Sequence, residues 1–285
     1  MSELFPYMGG KFYLADFILS FLPEHRCYAE PFAGSLAVLL AKTPSEVETA
    51  NDTNREIVNF YRVLREAGEC EPLLRRLEWL LEMSPVARSQ FRDWVIEWNQ
   101  GWRPQDPVER AAVWYYLMCN NIAHADRMSP GQWSFSPVKN LADAWQRRTR
   151  DLRGFARRLA KVQFECDDFR AVIPRWDRED TVFYCDPPYD LESRGRTKEY
   201  YGVFTETDHR DLAGLLKQVK GKVILSYYHS PLVDSLYDGW YHIDINQAKM
   251  GTVAYGEGSK PVGVEVLYFN YIPDPLFRWR QEALG

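Results

Sequence analysis

Hydrophobic and polar positions at the beginning of the chain alternate in short blocks. Residues 28–35 have the pattern of a strand that ends in a turn, the apolar run 36–41 predicts a buried helix, and 47–50 predicts a second strand. From Asn54 onward, apolar residues recur every three or four positions. This spacing predicts an amphipathic helix with Asn54 as its N-cap and Gly68 as its stop.

The pattern from about residue 68 to residue 160 is helical, and seven of the ten tryptophans lie in it. We expect these tryptophans in a core rather than stacked on bases. A polar segment, 120–140, interrupts the helices. In the helix after it, arginines are expected to face outward and four apolar side chains inward, namely Leu152, Phe155, Ala156 and Leu159. We interpret this region as an inserted helical subdomain.

Strand patterns return after residue 160. Apolar runs predict strands at 181–185, 222–228 and 264–269, and residues 208–219 predict a helix between the first two. Strands that alternate with helices indicate an α/β fold with a mostly parallel sheet. Because ligands bind at the carboxyl ends of the strands in such sheets, motifs at strand ends are the most informative.

Composition excludes several classes of protein. The five cysteines are scattered and form no C-x-x-C pair, so neither a zinc site nor a disulfide framework is expected. No apolar run approaches the length that crosses a bilayer, and the first residues carry no secretory pattern. We therefore expect a protein of the cytoplasm with no membrane contact.

The net charge of −5 is unevenly distributed. Residues 139–161 carry eight basic and two acidic side chains, a local charge of +6 that leaves −11 for the rest of the chain. Such a stripe is typical of a surface that binds nucleic acid, although a solvated helix face gives the same pattern. Charge alone leaves both interpretations open.

The strongest chemical motif is Asp186-Pro187-Pro188-Tyr189, directly after the apolar run 181–185. Two prolines cannot continue a sheet ladder, so the chain leaves the sheet stiffly at this point. The Asp186 carboxylate and the Pro187 carbonyl are then two fixed acceptors, which suit the two N–H donors of an exocyclic amine. The Tyr189 ring could stack on the base that carries the amine. A tight turn after a strand is the alternative.

This tetrapeptide after a strand resembles the signature of amino-group methyltransferases, and the motifs in their order resemble the Dam-type (D12 class) DNA adenine methyltransferases. The resemblance implies a Rossmann-like, S-adenosylmethionine-dependent fold with a mostly parallel mixed sheet and an inserted helical target-recognition subdomain. Residues 1–55 and 161–285 would form the catalytic domain and 56–160 the insert. The implied cofactor is S-adenosylmethionine, with no metal.

Four further motifs would hold this cofactor, by resemblance to the family. They are an aromatic-x-G-G-K element, an E-P-F-x-G-S loop, a D-x-N element at the end of the second strand, and a D-F element. Leu36 departs from the loop pattern, which commonly has a small residue there. Together with Asp186, the implied cofactor residues are Tyr7, Gly9, Gly10, Lys11, Glu30, Pro31, Phe32, Gly34, Ser35, Asp52 and Asp168.

Residues 201–209 match the family pattern after D-P-P-Y, and His209 is expected to open a helix capped by Thr205 or Thr207 rather than to act as a base. Residues 190–200 are expected to form a loop over the active site. The closing strand around 264–271 also matches the family, with Glu265 in place.

The implied substrate is an adenine N6 amine in double-stranded DNA, which must be flipped out of the helix to reach the site. The helical insert would contact the DNA through Arg127, Lys139, Arg147, Arg148 and Arg150. The R-x-N-x-x-G-x-F-N pattern of GATC-specific members is absent, so no recognition sequence is assigned. A cognate restriction endonuclease is a candidate partner, and a monomer is expected, with a dimer as the alternative.

Other functions stay open at this point. The methyl acceptor could be cytosine N4, an RNA base or a protein glutamine, but those enzymes more often have Ser or Asn in place of Asp186. A non-catalytic DNA-binding relative would have lost Asp186, Tyr189 or Lys11, and all three are present. A dinucleotide oxidoreductase is excluded because no G-x-G-x-x-G follows a strand.

Overall fold

The computed structural model describes residues 3–7, 9–84, 87–122, 128–138, 140–189, 204–248 and 262–273. Seven strands of this part of the chain form one sheet. They are β1 (Cys27–Glu30), β2 (Val47–Asn51), β3 (Gln163–Glu165), β4 (Thr181–Cys185), β5 (Lys222–Tyr228), β6 (Tyr241–Ala248) and β7 (Val262–Phe269). Their order in the sheet is β3-β2-β1-β4-β5-β7-β6.

Five neighbouring strands, from β3 to β5 in the sheet order, pair in parallel, whereas β7 pairs antiparallel to both β5 and β6. The predicted mostly parallel α/β sheet is therefore confirmed. Two strands were not predicted: β3 has only three residues, and β6 alternates polar and apolar residues at the sheet edge. The chain passes from β1 to β2 on one side and places β4 on the other. This switch point opens a crevice at the carboxyl ends of β1 and β4, where ligands of such sheets bind.

A 3-10 turn (Phe12–Leu14) and ten helices accompany the sheet in the described ranges. The helices are α1 (Ala15–Leu19), α2 (Ala37–Ala41), α3 (Arg55–Glu69), α4 (Glu71–Glu82), α5 (Arg88–Asn99), α6 (Pro107–Asn120), α7 (Leu141–Leu159), α8 (Phe169–Trp176), α9 (Glu206–Leu216) and α10 (Pro231–Leu236). Of the helices described, none is long and apolar enough to cross a membrane.

Helices α3 to α7 all lie between β2 and β3 in the chain, where the helical insert is predicted. One hydrophobic core joins them to the sheet, and the Tyr61 ring of α3 stacks on Phe164 of β3 at 5.3 Å. Trp98, Trp114 and Trp145 are buried in this core, whereas Trp79 is 58% exposed. The division of the chain into two units at 55/56 and 160/161 stays a prediction.

Leu36 does not belong to helix α2, although the apolar run 36–41 predicts that it does. It is the N-cap residue and has left-handed backbone angles, with φ at 56°. A left-handed non-glycine residue costs about 1–2 kcal/mol, but the Leu36 side chain is fully buried. Burying a leucine side chain contributes about 1.5–3 kcal/mol, so packing outweighs the backbone cost at this position.

The prediction that Gly68 stops helix α3 is wrong. The helix continues to Glu69, and Gly68 lies where α3 packs against α7. A methyl group on its Cα would lie 2.2 Å from the carbonyl oxygen of Ala156. Glycine therefore occupies this position because two helix backbones meet there. The predicted N-cap of the same helix is confirmed, since the Asn54 side chain accepts a hydrogen bond from the Glu56 N–H.

The four apolar residues of α7 face inward as predicted, but the prediction that its arginines all face outward is wrong. Arg153 pairs with Glu71 and Glu78 at 2.8 and 2.9 Å. Arg158 is nearly buried and pairs with Glu48 at 2.6 Å. These contacts across 75 to 110 positions of the chain neutralise part of the basic stripe and fix α7 against its neighbours.

Candidate active site

A pocket opens at the carboxyl ends of β1, β2 and β4, and its empty space, including the mouth, is about 1220 Å³. All fifteen residues that the sequence assigns to catalysis or to the cofactor line it. They come from separate parts of the chain and meet because parallel strands end at one edge of the sheet. They are Tyr7, Gly9, Gly10, Lys11, Glu30, Pro31, Phe32, Gly34, Ser35, Asp52, Asp168, Asp186, Pro187, Pro188 and Tyr189.

A compact polar cluster forms the centre of the pocket. The Lys11 ammonium pairs with the Asp186 carboxylate at 2.9 Å and with Glu265 at 3.3 Å, and it also donates to the Tyr189 hydroxyl. The Tyr189 hydroxyl in turn lies 3.1 Å from Asp186 and 3.3 Å from Glu265. Ser226 donates to Glu265 at 2.8 Å. These contacts hold the D-P-P-Y segment of the chain in one geometry.

Burial and the neighbouring charges shift the pKa values in this cluster in opposite directions. Desolvation alone would lower the pKa of Lys11, but the Asp186 and Glu265 carboxylates hold it well above its usual value. For Asp186, burial raises the pKa and the Lys11 charge opposes that rise. Lys11 is therefore an ammonium group that supports Asp186 as a carboxylate.

Glu265 is the member of the cluster that sequence reasoning did not assign to the site. It lies on β7 and is 3% exposed. Its signal in the sequence is a single charged residue in the apolar run 264–269. A charge in a buried strand needs a partner, and that requirement could have identified it as a site residue.

Glu30 ends β1 and is fully buried beside the pocket. The Tyr28 hydroxyl donates to its carboxylate at 2.8 Å. Burial raises the pKa of Glu30 to about 8, against the smaller opposing effect of the Tyr28 hydrogen bond. Glu30 therefore holds a proton at pH 7 when no positive group is beside it.

This proton gives the first testable prediction. Between its ordinary pKa of 4.5 and the folded-state value of about 8, Glu30 is protonated in the folded protein and ionised in the unfolded chain. The stabilising contribution of Glu30 to the free energy of unfolding is fully present below pH 4.5, and it is lost as the pH rises through 8. We expect Glu30→Gln, which stays neutral, to stabilise the ligand-free protein above pH 8 by at most about 5 kcal/mol.

Denaturant unfolding of both proteins between pH 5 and pH 9 measures this difference. Tyr28→Phe, which removes the hydrogen bond to Glu30 and keeps the carboxyl group, is the control and should not flatten the pH dependence. Parallel pH profiles for the wild type and Glu30→Gln would contradict the prediction.

Asp52 and Asn51 shape the adjoining wall at the end of β2. One Asp52 oxygen accepts from the Gly34 N–H at 3.0 Å and the other from the Asn54 N–H at 2.8 Å. The Asn51 amide donates to the carbonyls of Pro31 and Asp167 and accepts from the Asp167 N–H, all at 2.9 to 3.0 Å. Asn51 therefore ties the loop after β1 to the loop after β3.

An aromatic wall closes the far side of the pocket. Phe32, Phe169 and Phe204 meet pairwise, with ring centroids 5.6 to 5.9 Å apart. Asp168, the predicted acid of the D-F element, lines the pocket and caps α8. The Arg170 side chain joins Asp168 to Asp208 of α9, with distances of 3.0 and 2.5 Å.

His209 lies outside this pocket lining. Its imidazole is buried, and Nδ1 lies 2.7 Å from the Tyr227 hydroxyl. Thr205 and Asp208 form a capping box at the start of α9. The structure thus places His209 at a helix start, as expected. The predicted active-site loop, 190–200, lies outside the described residues.

Three of the five predicted DNA-binding residues lie on helix α7. Arg147 and Arg150 on α7 are exposed, and Arg148 is half-buried on the side that faces Glu3. Arg127 and Lys139 lie outside the described residues. Among the described residues, no group of His, Cys, Asp and Glu side chains is arranged to hold a metal ion.

Several known proteins are similar to this chain in sequence. Retron Ec67 DNA adenine methylase of Escherichia coli is 28% identical over 262 residues, which cover 90% of this chain and 88% of that protein. The DNA adenine methylase of Vibrio cholerae is 25% identical over 240 residues, with 81% and 83% covered. The DNA N-6-adenine-methyltransferase of Escherichia phage P1 is 27% identical over 82% of this chain, but the match covers 31% of the phage protein.

A family model described as D12 class N6 adenine-specific DNA methyltransferase matches residues 7–251. The match includes the predicted cofactor motifs, the helices between β2 and β3, and the D-P-P-Y segment. The mixed, mostly parallel sheet is the fold that this family implies. The chain belongs to the family of D12 class N6 adenine-specific DNA methyltransferases.

Proposed function

We propose that this protein transfers a methyl group from S-adenosylmethionine directly to the N6 amine of an adenine that is flipped out of double-stranded DNA at a specific site. The observation that carries the proposal is the convergence of all fifteen predicted residues on one pocket, with Asp186 common to the cofactor and catalytic sets. A single pocket lets two ligands meet at one carboxylate.

The pocket suits the proposed cofactor in three respects. Asp52 presents a carboxylate at the end of β2, where a ribose hydroxyl is bound in related nucleotide-binding folds. The three phenylalanine rings form an apolar wall for a purine. Gly10 lets two lining segments of the pocket approach each other closely, because a Cβ there would lie 3.0 Å from the Tyr7 carbonyl and 3.3 Å from the Ser35 hydroxyl.

When bound, S-adenosylmethionine supplies a methyl group on a positively charged sulfur, which an amine nitrogen can attack directly. The residues of the chain contribute orientation and charge. The Asp186 carboxylate and the Pro187 carbonyl accept the two N–H groups of the amine, which directs the nitrogen lone pair toward the methyl group. As positive charge develops on the nitrogen, the Asp186 carboxylate stabilises it.

Tyr189 is the residue that would stack on the flipped base. Its hydroxyl is bound by the Lys11–Asp186–Glu265 cluster, and its ring meets Tyr228 edge-on at 4.9 Å. The ring position is thus fixed before a base arrives, which reduces the ordering cost of stacking.

Helix α7 carries the part of the surface that we assign to DNA. The helix is about 28 Å long. Arg158 in its last turn pairs with Glu48, the second residue of β2, so this turn lies near the amino ends of the strands. Its first half, 141–150, therefore points toward the edge where the pocket opens. The exposed side chains of Arg147 and Arg150 lie on this half and are placed to contact phosphates.

We expect the double variant Arg147→Ala, Arg150→Ala to bind DNA more weakly and with less salt dependence. Each lost phosphate contact lowers the slope of log affinity against log salt by about one, so the slope should fall by about two. Fluorescence anisotropy with a DNA duplex at several salt concentrations measures it. Arg178→Ala, an exposed arginine just before β4 at the opposite edge, is the control. Equal slopes for the double variant and the wild type would exclude this surface.

The central test incubates the protein and S-adenosylmethionine with unmethylated genomic DNA and maps modified bases by single-molecule sequencing. The proposal expects N6-methyladenine at one short recognition sequence. Methylated cytosine, or methylation of RNA alone, would contradict it. The recognition sequence would also show whether a cognate restriction endonuclease should be sought.

A further inference from the structure

Arg170 lines the pocket but lies outside the motifs that the sequence shares with the family. It is the second residue of α8, and its guanidinium pairs with three carboxylates: Asp168 at 3.0 Å, Asp208 at 2.5 Å and Asp211 at 2.7 Å. A single exposed ion pair contributes little, whereas a guanidinium that donates to several acids holds them in one geometry. Arg170 therefore fixes the start of α8 to α9.

The pair with Asp208 reaches the wall of the pocket through the backbone. One oxygen of Asp208 accepts from Arg170, and the other accepts from the Thr205 N–H and the Thr205 hydroxyl, both at 2.6 Å. Thr205 directly follows Phe204, whose ring belongs to the aromatic wall. One carboxylate thus separates the guanidinium from the backbone that carries this ring.

Phe204 is the ring of the wall that depends on such support. Phe169 begins helix α8 and is buried in the core. Phe204 is only half-buried and lies before α9, in neither a helix nor a strand. The guanidinium itself is well placed to hold it, because its Cζ lies 4.5 Å from the centroid of the Phe169 ring, where a cation is attracted to the ring face.

We propose that Arg170 is a positioning residue, which holds Phe204 in the aromatic wall and so strengthens the binding of the cofactor's adenine. The inference rests on the proposed function, because it requires S-adenosylmethionine in this pocket. A ring that is fixed before the purine arrives loses less freedom when the two stack. The effect of Arg170 is therefore on cofactor affinity and not on the transfer step.

Two substitutions and their combination test this role by calorimetry with S-adenosylmethionine. Phe204→Ala should raise the dissociation constant about tenfold, the usual effect of removing one ring from a stacked base. Arg170→Gln should raise it about fivefold, and about twofold at most when Phe204 is already alanine, because the residue acts through that ring. Wild-type affinity in Arg170→Gln would overturn the proposal. So would losses that multiply to about fiftyfold in the double variant.

Steady-state kinetics separate positioning from catalysis. In Arg170→Gln the KM for S-adenosylmethionine should rise about fivefold, while kcat with both substrates saturating stays within about twofold of the wild type. A lower kcat with an unchanged KM would overturn the proposal. Arg170→Lys is the second variant if Arg170→Gln does not fold. Its ammonium keeps a positive charge among the three acids but lacks the planar fork of arginine, so it should show the same split with a smaller rise in KM.

Asp211→Asn is the matched control. Asp211 also pairs with Arg170, but it lies one turn beyond Asp208 on α9 and does not line the pocket. Its replacement should change the affinity for S-adenosylmethionine less than about twofold, as expected for one exposed ion pair. A loss as large as that of Arg170→Gln would show that the charge on α9, and not the position of Phe204, governs binding.

A ligand without the amino-acid part makes the test specific for the adenine. 5′-Methylthioadenosine keeps the adenine and the ribose, so Arg170→Gln should weaken its binding by the same factor as that of S-adenosylmethionine. Equal binding of 5′-methylthioadenosine to both proteins would overturn the proposal, because Arg170 would then act on the methionine part.

The outcome for the wild type separates this inference from the proposed function. If the wild-type protein binds no S-adenosylmethionine, the proposed function fails, and the role of Arg170 fails with it. If the wild type binds the cofactor and Arg170→Gln binds it equally well, only the inference about Arg170 fails.

Discussion

Replacing Asp186 by asparagine is expected to reduce the rate of methyl transfer by roughly 10²–10⁴-fold, the range for one positioned group that manages a proton or a developing charge. The asparagine side chain has the same shape and keeps an acceptor oxygen. It carries no negative charge to stabilise the positive charge that develops on the amine nitrogen. The effect should therefore appear in kcat, measured with saturating DNA and S-adenosylmethionine.

Affinity measurements separate this effect from a loss of folding or binding. Lys11 keeps Glu265 as a partner at 3.3 Å when Asp186 is changed, so the cluster should persist and the DNA dissociation constant should change little. Asp180→Asn is the control, because this exposed acid lies at the amino end of the same strand. An Asp186→Asn enzyme with wild-type kcat would exclude the proposed role of the carboxylate.

Among the glycines of the described helices, Gly68 should lose the most stability when it is replaced by alanine. A Cβ at this position would lie 2.2 Å from the Ala156 carbonyl oxygen and 2.7 Å from its carbon. Both are backbone atoms, so α3 and α7 must separate. Overpacking of this kind costs about 1–3 kcal/mol or more, which exceeds the gain of about 1 kcal/mol that alanine brings to a helix. We expect a net loss of about 2 kcal/mol in denaturant unfolding.

Gly154→Ala is the control that predicts the opposite sign. Gly154 lies inside α7 and would meet nothing within 4 Å. The methyl group there brings only the helix preference, so the protein should gain about 0.5–1 kcal/mol. Equal stabilisation of the two variants would show that α3 and α7 do not meet closely at Gly68.

Local signals in the sequence predicted which residues meet at the pocket. Glu30 ends a strand, and Asp52 and Asp186 each directly follow one. Because the carboxyl ends of parallel strands meet at one edge of the sheet, the convergence of these residues follows from topology. The start of α3 at Asn54 and the capping box at Thr205 were predictable for a different, local reason. Each depends on residues within four positions of one another.

Features that depend on distant parts of the chain were not predictable. Arg158 looks like one more cation of a basic stripe until β2 places Glu48 beside it. Gly68 looks like a helix stop until α7 brings Ala156 against it. Strand β3, with three residues, is too short to have a periodic pattern.

The place where helices α3 to α7 enter the fold also affects how such a protein can diversify. They leave the sheet after β2 and return at β3, the last strand on that side of the sheet. Tyr61 of α3 donates to the Gly34 carbonyl of the pocket loop. The first turns of α3 are therefore held against the pocket. Beyond them, insertions and substitutions can accumulate in the surface helices without moving β1 or β4. The proposed methyl transfer can thus stay the same while the surface that we assign to DNA changes.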